Sequence, residues 1–414
     1  MRTTILAAIV LAALPVWGAA PKDKLSNEAN AIVTGTNDFA IDMYRQLAAD
    51  DKGNVFFSPA SVHTALSMTQ AGAGGDTAVE MAKVLQLPKV KPSDLAMAYG
   101  QLIDAINAIP EIERKPAYQL NVANALWLRQ GMQFNKDFTG LADKDFHARA
   151  TLVDFTKAEA AAKTINDWVE DKTNKRIKDL ISKDALGADT AMVLTNAVYF
   201  KADWMDKFKQ DETQDAPFKL GGEKTVKAPM MARTGSYRYA ENDDLQLLEM
   251  PYATGKLSMI VILPKKVDGL AAVEKALSAE QLAKWAKDAS KEKVQLKLPR
   301  WKATQQFELN KVLEAMGMKL AFDPAQADFS PMVEKAQMKL FISRVVHKSF
   351  VDVTEEGTEA AAATGVAMGM TAMPERHVPK VFTADHPFLY MIRHNDTGVI
   401  LFMGRLTDPT GKGE

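Results

Sequence analysis

The sequence predicts an α+β fold, with helices dominating the first half of the chain and strands the second half. Apolar residues recur at spacings of three and four in residues 39–48, 61–68 and 158–177, which is the period of an amphipathic helix. Strand-like apolar runs occupy residues 120–127, 191–200, 257–263, 294–298 and 399–403. The last run is almost entirely apolar, as in a strand that is buried on both faces. Because the runs do not alternate regularly with helices, the pattern favours α+β over a parallel α/β sheet.

The composition is that of an ordinary globular protein, with 47% of the 414 residues hydrophobic and 25% charged. The net charge of −1 predicts neither a nucleic-acid partner nor an anionic membrane partner. The chain contains no cysteine, which excludes disulfides, thiolate catalysis and cysteine-ligated metals. Stability must therefore come from core burial, which a chain of this length supplies, since about three quarters of the unfolded surface is buried at roughly 300 residues.

The first 20 residues have the pattern of a secretory signal peptide. Arg2 provides a positive charge, residues 5–17 form a short apolar run, and Gly18, Ala19 and Ala20 offer a cleavage site. The run is too short to span a bilayer, and a retained N-terminal anchor is the alternative. We therefore expect a secreted or periplasmic protein from which residues 1–20 are removed, with no membrane association.

A search for catalytic and metal-binding motifs finds none. The chain lacks the nucleophile elbow, the P-loop, the H-E-x-x-H pair and the dinucleotide-binding glycine pattern. Its six histidines include no pair at metal-ligand spacing, so we predict no metal and no cofactor. With none of these motifs present, we also predict that the chain is not an enzyme. His63 and His347 lie in helical and strand patterns and are expected to be structural. A glycosidase pair of carboxylates is not excluded by sequence alone.

Residues 350–380 are the most informative segment of the chain. Residues 350–354 alternate as a strand does, and residues 360–373 contain no charge and no proline. A long exposed loop would normally be polar and rich in turn residues. Small side chains and a complete set of backbone N–H donors instead suit a segment that can become a central strand, with Gly357 free to bend. Taken alone, the stretch is also compatible with an alanine-rich helix or a flexible loop.

The sequence EEGTEAAA at 355–362 resembles the hinge of inhibitory serpins, a superfamily of serine protease inhibitors. Further segments resemble serpin sequences in the same order along the chain: NVFFSPASV at 54–62, TNAVYFK at 195–201 followed by Trp204, MPY at 250–252, LSM at 257–259, ISRVVHK at 342–348, DHPF at 385–388 and LFMGR at 401–405. The chain is identified as a member of this family over residues 37–409, and its lack of cysteine and short signal suit a bacterial exported member. The resemblance implies the serpin fold: three β-sheets, about eight or nine helices and an exposed reactive-centre loop at about 355–380. Residues 21–36 would be an N-terminal extension and residues 410–414 a C-terminal tail.

The resemblance assigns three groups of site residues by position. The hinge, through which the loop joins the sheet, comprises Glu355, Glu356, Gly357, Thr358, Glu359, Ala360, Ala361, Ala362 and Ala363. The shutter, a polar cluster beneath the sheet where strands must part, comprises Ser58, Ser61, Asn196 and His347. The breach, at the top of the sheet where insertion starts, comprises Trp204, Arg300 and Glu355, with an ion pair expected between Arg300 and Glu355.

The resemblance also implies a suicide-substrate mechanism. A serine protease cleaves the loop and forms an acyl-enzyme, and the cut loop inserts as an extra strand and displaces the protease. The common family spacing of about seventeen residues from Glu355 places the scissile bond between Thr371 and Ala372. A loop shorter by one residue would place it between Met370 and Thr371.

The residues around this bond predict the class of target protease. Threonine, methionine and alanine suit a small apolar specificity pocket, so we expect elastase-like or subtilisin-like serine proteases. A papain-like cysteine protease is a weaker option, and Arg376 leaves a trypsin-like target open. We expect a monomer that forms a covalent complex with its target. The alternative function is that of a non-inhibitory serpin acting as a carrier, chaperone or storage protein.

Overall fold

The computed structural model describes residues 24–50, 52–335, 339–358 and 378–411, and these residues confirm the predicted α+β class. Their helices are α1 (Asn27–Asp50), α2 (Pro59–Ala71), α3 (Gly75–Val84), α4 (Pro92–Asn107), α5 (Lys136–Lys144), α6 (Ala158–Lys172), α7 (Leu270–Ala276), α8 (Ala279–Asp288) and α9 (Asn310–Ala315). Their strands are β1 (Val55–Phe57), β2 (Glu111–Ile112), β3 (Lys115–Pro116), β4 (Tyr118–Arg129), β5 (Gln133–Phe134), β6 (Arg149–Val153), β7 (Met192–Asp203), β8 (Gln214–Gly221), β9 (Lys224–Glu241), β10 (Leu245–Pro251), β11 (Leu257–Pro264), β12 (Ser290–Pro299), β13 (Trp301–Glu308), β14 (Val333–Lys335), β15 (Ile342–Val353), β16 (Gly357–Thr358), β17 (Lys380–Thr383), β18 (Phe388–His394) and β19 (Ile400–Leu406).

A six-stranded sheet with the order β13-β15-β16-β7-β4-β6 carries most of the predicted site residues. Its central strand β7 runs antiparallel to β4 and β16 and parallel to β15. Ten of the twelve residues of β7 are buried, which explains why the sequence of this strand is nearly continuously apolar rather than alternating.

The two faces of this sheet are buried by different elements. Helix α6 covers one face, where Ile165 and Val169 pack in one cluster with Val193 and Ala197 of β7. Helix α2 and the strands of a second, nine-stranded sheet lie against the other face, where the main core is located. Because strand side chains alternate between faces, the neighbour Asn196 belongs to the face that meets α2.

The start of helix α2 and the end of helix α6 are determined by local side-chain and backbone interactions. Ser58 is the N-cap of α2, its side chain accepting a hydrogen bond from the backbone N–H of Ser61, and Pro59 occupies the first turn. The helical pattern of residues 158–177 predicts a longer α6 than the structure contains. The helix ends at Lys172 because Asn174 and Lys175 adopt left-handed backbone conformations with φ of 51° and 60°.

The nine-stranded sheet has the order β1-β19-β18-β11-β10-β9-β12-β17, with β8 paired to β9. Two of the three expected sheets are continuous here, since the 18-residue strand β9 pairs with β8 and β12 and also with β10. Two small sheets, β14-β5 and β2-β3, complete the strand pairings of the described residues.

Helix α1 crosses the domain boundary that the sequence placed at residue 37. It begins at Asn27, and Ala29, Ile32 and Val33 are buried in the main core. Residues 27–36 therefore belong to the folded domain rather than to an extension. Across the part of the chain that the structure describes, no helix combines the length and apolarity needed to cross a bilayer.

Candidate functional site

Strand β16 lies between β15 and β7 at one end of the six-stranded sheet. Thr358 pairs with Ala202 of β7 and with Val353 of β15. Farther along the sheet β15 and β7 pair directly with each other over eight positions, up to Phe350 and Tyr199. We call this parallel ladder the seam. The first two residues of a new central strand are thus in place at the end of a seam that is otherwise closed.

Gly357 makes this insertion sterically feasible. Its φ is 153°, and a Cβ atom there would collide with the carbonyl oxygen of Ala202 and lie 2.6 Å from Cα of Asp203. Only glycine lets the hinge backbone approach β7 so closely.

The carboxylate of Glu355 is the buried polar centre of the breach. The residue is 3% exposed, and its Oε1 accepts a 2.7 Å hydrogen bond from the hydroxyl of Thr213. Arg300 places its Nε 3.5 Å from the other carboxylate oxygen, in the predicted ion pair. A buried carboxylate is costly unless it is paired and hydrogen-bonded, so these two partners hold the start of the hinge in one position.

Trp204 connects the hinge to the underlying core. Its backbone N–H donates to the carbonyl of Glu356 at 2.9 Å, and its indole N–H donates to the carbonyl of Thr354 at 3.0 Å. The indole stacks on the ring of Tyr252 with the centroids 4.5 Å apart. The hydroxyl of Tyr252 is hydrogen-bonded to that of Thr358 at 2.8 Å. Burial raises the pKa of Tyr252, so this hydroxyl stays protonated.

A second ion-pair group lies beside the breach. Nζ of Lys207 is 2.7 Å from Oε2 of Glu356 and 2.9 Å from Oδ2 of Asp203. Burial alone would lower the pKa of Lys207, but the hydrogen bonds and charges of the two carboxylates raise it above its ordinary value. The lysine therefore stays charged and joins the hinge to the end of strand β7.

The shutter residues form one directional chain of hydrogen bonds beneath the seam. The backbone N–H of Ser58 donates to Nε2 of His347 at 3.1 Å, which fixes the proton of this imidazole on Nδ1. Nδ1 then donates to Oδ1 of Asn196 at 2.5 Å. The amide nitrogen of Asn196 donates to the hydroxyl of Ser61 and to Oδ1 of Asn124. Ser61 also donates to that oxygen, at 3.3 Å.

This chain of hydrogen bonds crosses the seam directly. Asn196 of β7 and His347 of β15 are register partners in the seam, so their contact must break when the two strands separate. Burial lowers the pKa of His347 to about 3, more than its hydrogen bond to Asn196 raises it. The imidazole is therefore neutral at ordinary pH and can both accept and donate in the chain.

The remaining predicted site residues lie outside the residues that the structure describes. They are the rest of the hinge, Glu359, Ala360, Ala361, Ala362 and Ala363, and the candidate scissile residues Met370, Thr371 and Ala372. Val378 follows this stretch with 90% of its surface exposed.

Comparison with known proteins shows the family to which this chain belongs. A family model described as serpin (serine protease inhibitor) matches residues 34–409. The chain belongs to the serpin family. It is 42% identical over 379 residues to an uncharacterized serpin-like protein of Thermococcus kodakarensis, covering 91% of this chain and 86% of that protein. It is 38% identical over 382 residues to the leukocyte elastase inhibitor of Homo sapiens, covering 90% and 97% of the two chains.

Solved serpin structures share the whole fold. Serpin48 of the insect Tenebrio molitor superposes with a TM-score of 0.82 at 30% identity, covering 94% of this chain and all of that one. Members of the serpin family are in general protease inhibitors rather than enzymes, and the expected serpin fold is confirmed.

Sequence reasoning missed several residues that this serpin uses at the site. Asn124 joins the shutter, and Thr213, Lys207 and Tyr252 contact the hinge. Asn124 is a polar residue in the middle of a buried run in β4, and that interruption could have identified it. Thr213 and Lys207 lie in an irregular segment after β7. The sequence there has no helix or strand periodicity from which their contacts could be predicted.

Proposed function

We propose that this chain is an inhibitory serpin, an irreversible suicide-substrate inhibitor of serine endopeptidases that works by loop cleavage, acyl-enzyme trapping and strand insertion. The observation that carries the proposal is the position of Thr358, which already pairs with both β7 and β15 at the end of the closed seam. Its neighbours on the chain need only continue in the same direction to become a full central strand.

The register of the inserted strand supports this mechanism. Six residues beyond Thr358 lies Thr364, and six residues before its partners Ala202 and Val353 lie Asn196 and His347. Insertion in this register would therefore bring Thr364 between the two shutter residues, on the face of the sheet that Thr358 also uses. A hydroxyl arriving there can replace the Asn196–His347 hydrogen bond that insertion breaks.

The energy balance favours insertion once the loop is cut. The seam would exchange one parallel ladder of eight register pairs for two antiparallel ladders, one on each side of the new strand. If about ten additional hydrogen bonds form at about 1 kcal/mol net each, the driving force is about 10 kcal/mol. That is comparable to the stability of a whole domain, and is sufficient to distort a tethered protease.

The chemical step is ordinary acyl transfer that is stopped midway. The protease serine attacks the carbonyl carbon of residue 371, and its proton passes through the protease histidine to the departing amine of residue 372. The C–N bond breaks and an ester links the inhibitor to the serine. Rapid insertion would move this ester away from the hydrolytic water, so deacylation stops.

The candidate scissile bond supports elastase-like or subtilisin-like targets, with a papain-like cysteine protease as a weaker option. Thr371 and Ala372 are small, as is the alternative pair Met370 and Thr371, and the leukocyte elastase inhibitor is a relative by sequence. Incubation with elastase, subtilisin and trypsin, followed by denaturing gels and mass spectrometry, tests the proposal. We expect a denaturant-resistant 1:1 adduct and a cut between residues 368 and 373. Cleavage without any adduct would instead favour a non-inhibitory serpin.

We also propose that the protein is exported. The support is the signal-like composition of residues 1–20, followed by a chain without cysteine. Cell fractionation and N-terminal sequencing test this, and a mature N-terminus at Pro21 in the medium or the periplasm is expected. A retained Met1 in a membrane fraction would contradict it.

A further inference from the structure

The outer face of strand β12 carries a row of exposed lysines. In this strand exposed polar residues alternate with buried apolar ones, so the two sets lie on opposite faces of the nine-stranded sheet. The exposed set is Lys291, Lys293, Gln295 and Lys297. We call Lys291, Lys293 and Lys297 the lysine stripe. A strand rises about 3.4 Å per residue, so the stripe extends over about 20 Å.

The neighbours of the lysine stripe within the sheet are uncharged or already paired. Lys291 is the register partner of Arg238, whose guanidinium lies 3.3 Å from the carboxylate of Glu249. The other register partners on this face are uncharged: Ser236, Thr234 and Ala232 of β9, and Val381 and Thr383 of β17. Across the described residues none of the three lysines forms an ion pair. The face is therefore positive, although the net charge of the whole chain is −1.

The lysine stripe lies beside the C-terminal end of the reactive-centre loop. Strand β17 runs parallel to β12, and its first residue, Lys380, pairs with Val294. The chain that leads into β17 therefore approaches along the half of β12 that carries Lys291 and Lys293. Val378, on this approach, is 90% exposed. The candidate scissile bond ends at Ala372, six residues earlier, and six extended residues span at most about 20 Å.

A protease bound to the loop is large enough to cover this face. A domain of about 250 residues has a radius of gyration of about 18 Å and hence a diameter of about 45 Å. A contact of ordinary size covers about 800 Å² on each partner, which is about 30 Å across. Both lengths exceed the greatest distance that can separate the scissile bond from Val378. The protease surface beside the active site can thus meet the lysine stripe while the loop occupies the active site.

We infer that the lysine stripe is an electrostatic docking surface for an acidic patch beside the active site of the target protease. The inference rests on the proposed function, since it names a property of the protease that the loop captures. Exposed charges at the rim of an interface act mainly on the association rate. The stripe therefore favours acidic proteases among those that accept the same scissile bond, and it acts before the loop is cut.

Subtilisin and subtilisin with succinylated surface lysines are a matched pair of probes, because succinylation makes the surface acidic and leaves the catalytic serine in place. The native protein should inhibit the succinylated enzyme faster. This advantage should disappear in 1 M NaCl, where the Debye length is about 3 Å. The combined variant Lys291→Glu, Lys293→Glu and Lys297→Glu should inhibit the succinylated enzyme about tenfold more slowly, at the lower end of steering effects. Its stoichiometry of inhibition should equal that of the native protein.

The matched control is the combined variant Lys89→Glu, Lys91→Glu and Lys115→Glu. It changes the net charge by the same amount at exposed lysines that lie outside the two large sheets. Its inhibition rate should stay close to the native value. If the stripe variant fails to fold, glutamine at the same three positions should give a smaller loss in the same direction. Equal losses in the stripe and control variants would overturn the docking surface.

Two further measurements separate this inference from its alternatives. If the native protein binds dextran sulfate and the stripe variant does not, while their inhibition rates are equal, the stripe serves a polyanion and the inference is overturned. Succinylated subtilisin whose catalytic serine is replaced by alanine reports docking without acylation. The native protein should bind it more tightly than the stripe variant does, and equal or undetectable binding by both would overturn the inference. Binding that depends on the stripe, with no adduct from active subtilisin, would contradict the proposed function alone.

Discussion

The hydroxyls of Thr358 and Tyr252 are hydrogen-bonded at 2.8 Å in the buried interior of the breach. Thr358 is the last hinge residue that the structure describes and is completely buried, and the ring of Tyr252 stacks on Trp204. The contact marks the point from which further insertion would proceed, so the size and polarity of residue 358 should control the fate of the protease.

Thr358→Arg should convert the inhibitor into a substrate. The site is completely buried and has room for a short hydroxyl, so a guanidinium there is both too large and unpaired. We expect cleavage in the loop with little or no covalent adduct, measured as the stoichiometry of inhibition of elastase or subtilisin.

Thr358→Ser is the matched control, since it keeps the hydroxyl that contacts Tyr252. It should behave nearly as the native protein. A stable adduct with normal stoichiometry in Thr358→Arg would contradict the insertion mechanism.

Lys207→Met should weaken the attachment of the hinge to the end of strand β7. Without the ammonium, the carboxylates of Glu356 and Asp203 repel each other across the start of β16. A partly exposed ion pair contributes up to about 1 kcal/mol, so the rate of adduct formation should fall by about fivefold or less. Lys209→Met removes a nearby exposed lysine paired with Glu212 and should leave the rate unchanged. Equal effects of the two changes would show that Lys207 acts only through net charge.

Thr364→Val should destabilise the cleaved protein and leave the intact one unchanged. In the proposed register this residue reaches Asn196 and His347 only after insertion, so the lost hydroxyl costs about 1 kcal/mol in the inserted state alone. The melting temperature of the cleaved form should fall by on the order of 2 °C. Thr364→Ser should retain the native value, and a fall that is equal in the intact and cleaved forms would argue against this register.

The closed sheet should lose stability in acid because of His347. Its folded pKa of about 3 lies below the unfolded value of about 6.5, so the unfolded state binds more protons between these values. The contribution of the neutral imidazole is complete above pH ~6.5 and is lost at about 1.4 kcal/mol per pH unit as the pH falls towards 3. The free energy of unfolding, measured by urea titration at several pH values between 4 and 7, should depend less steeply on pH in His347→Gln. The difference in slope should correspond to about one bound proton. An unchanged pH dependence of stability in His347→Gln would contradict the assignment.

The sequence predicted the buried parts of this fold better than the connections between them. The apolar runs at 191–200 and 399–403 correspond to β7 and β19, because strands buried on both faces leave a strong apolar signal. The end of α6 was missed, since the left-handed conformations of Asn174 and Lys175 leave no such signal.

At the site, resemblance located the four shutter residues, which the structure brings into contact. It did not locate Asn124, Lys207 or Thr213. Their roles arise from contacts between residues distant in sequence, such as the Thr213–Glu355 hydrogen bond across 142 positions. Such contacts have no periodic signature in the chain.

The central claim is that the intact protein is trapped above its most stable state and that cutting the loop releases it. Melting temperatures of the intact protein and of protein nicked with catalytic amounts of subtilisin test this claim directly. A gain of about 10 kcal/mol predicts that the nicked form melts on the order of 10 °C or more above the intact form. A nicked form that melts at or below the temperature of the intact protein would contradict the claim.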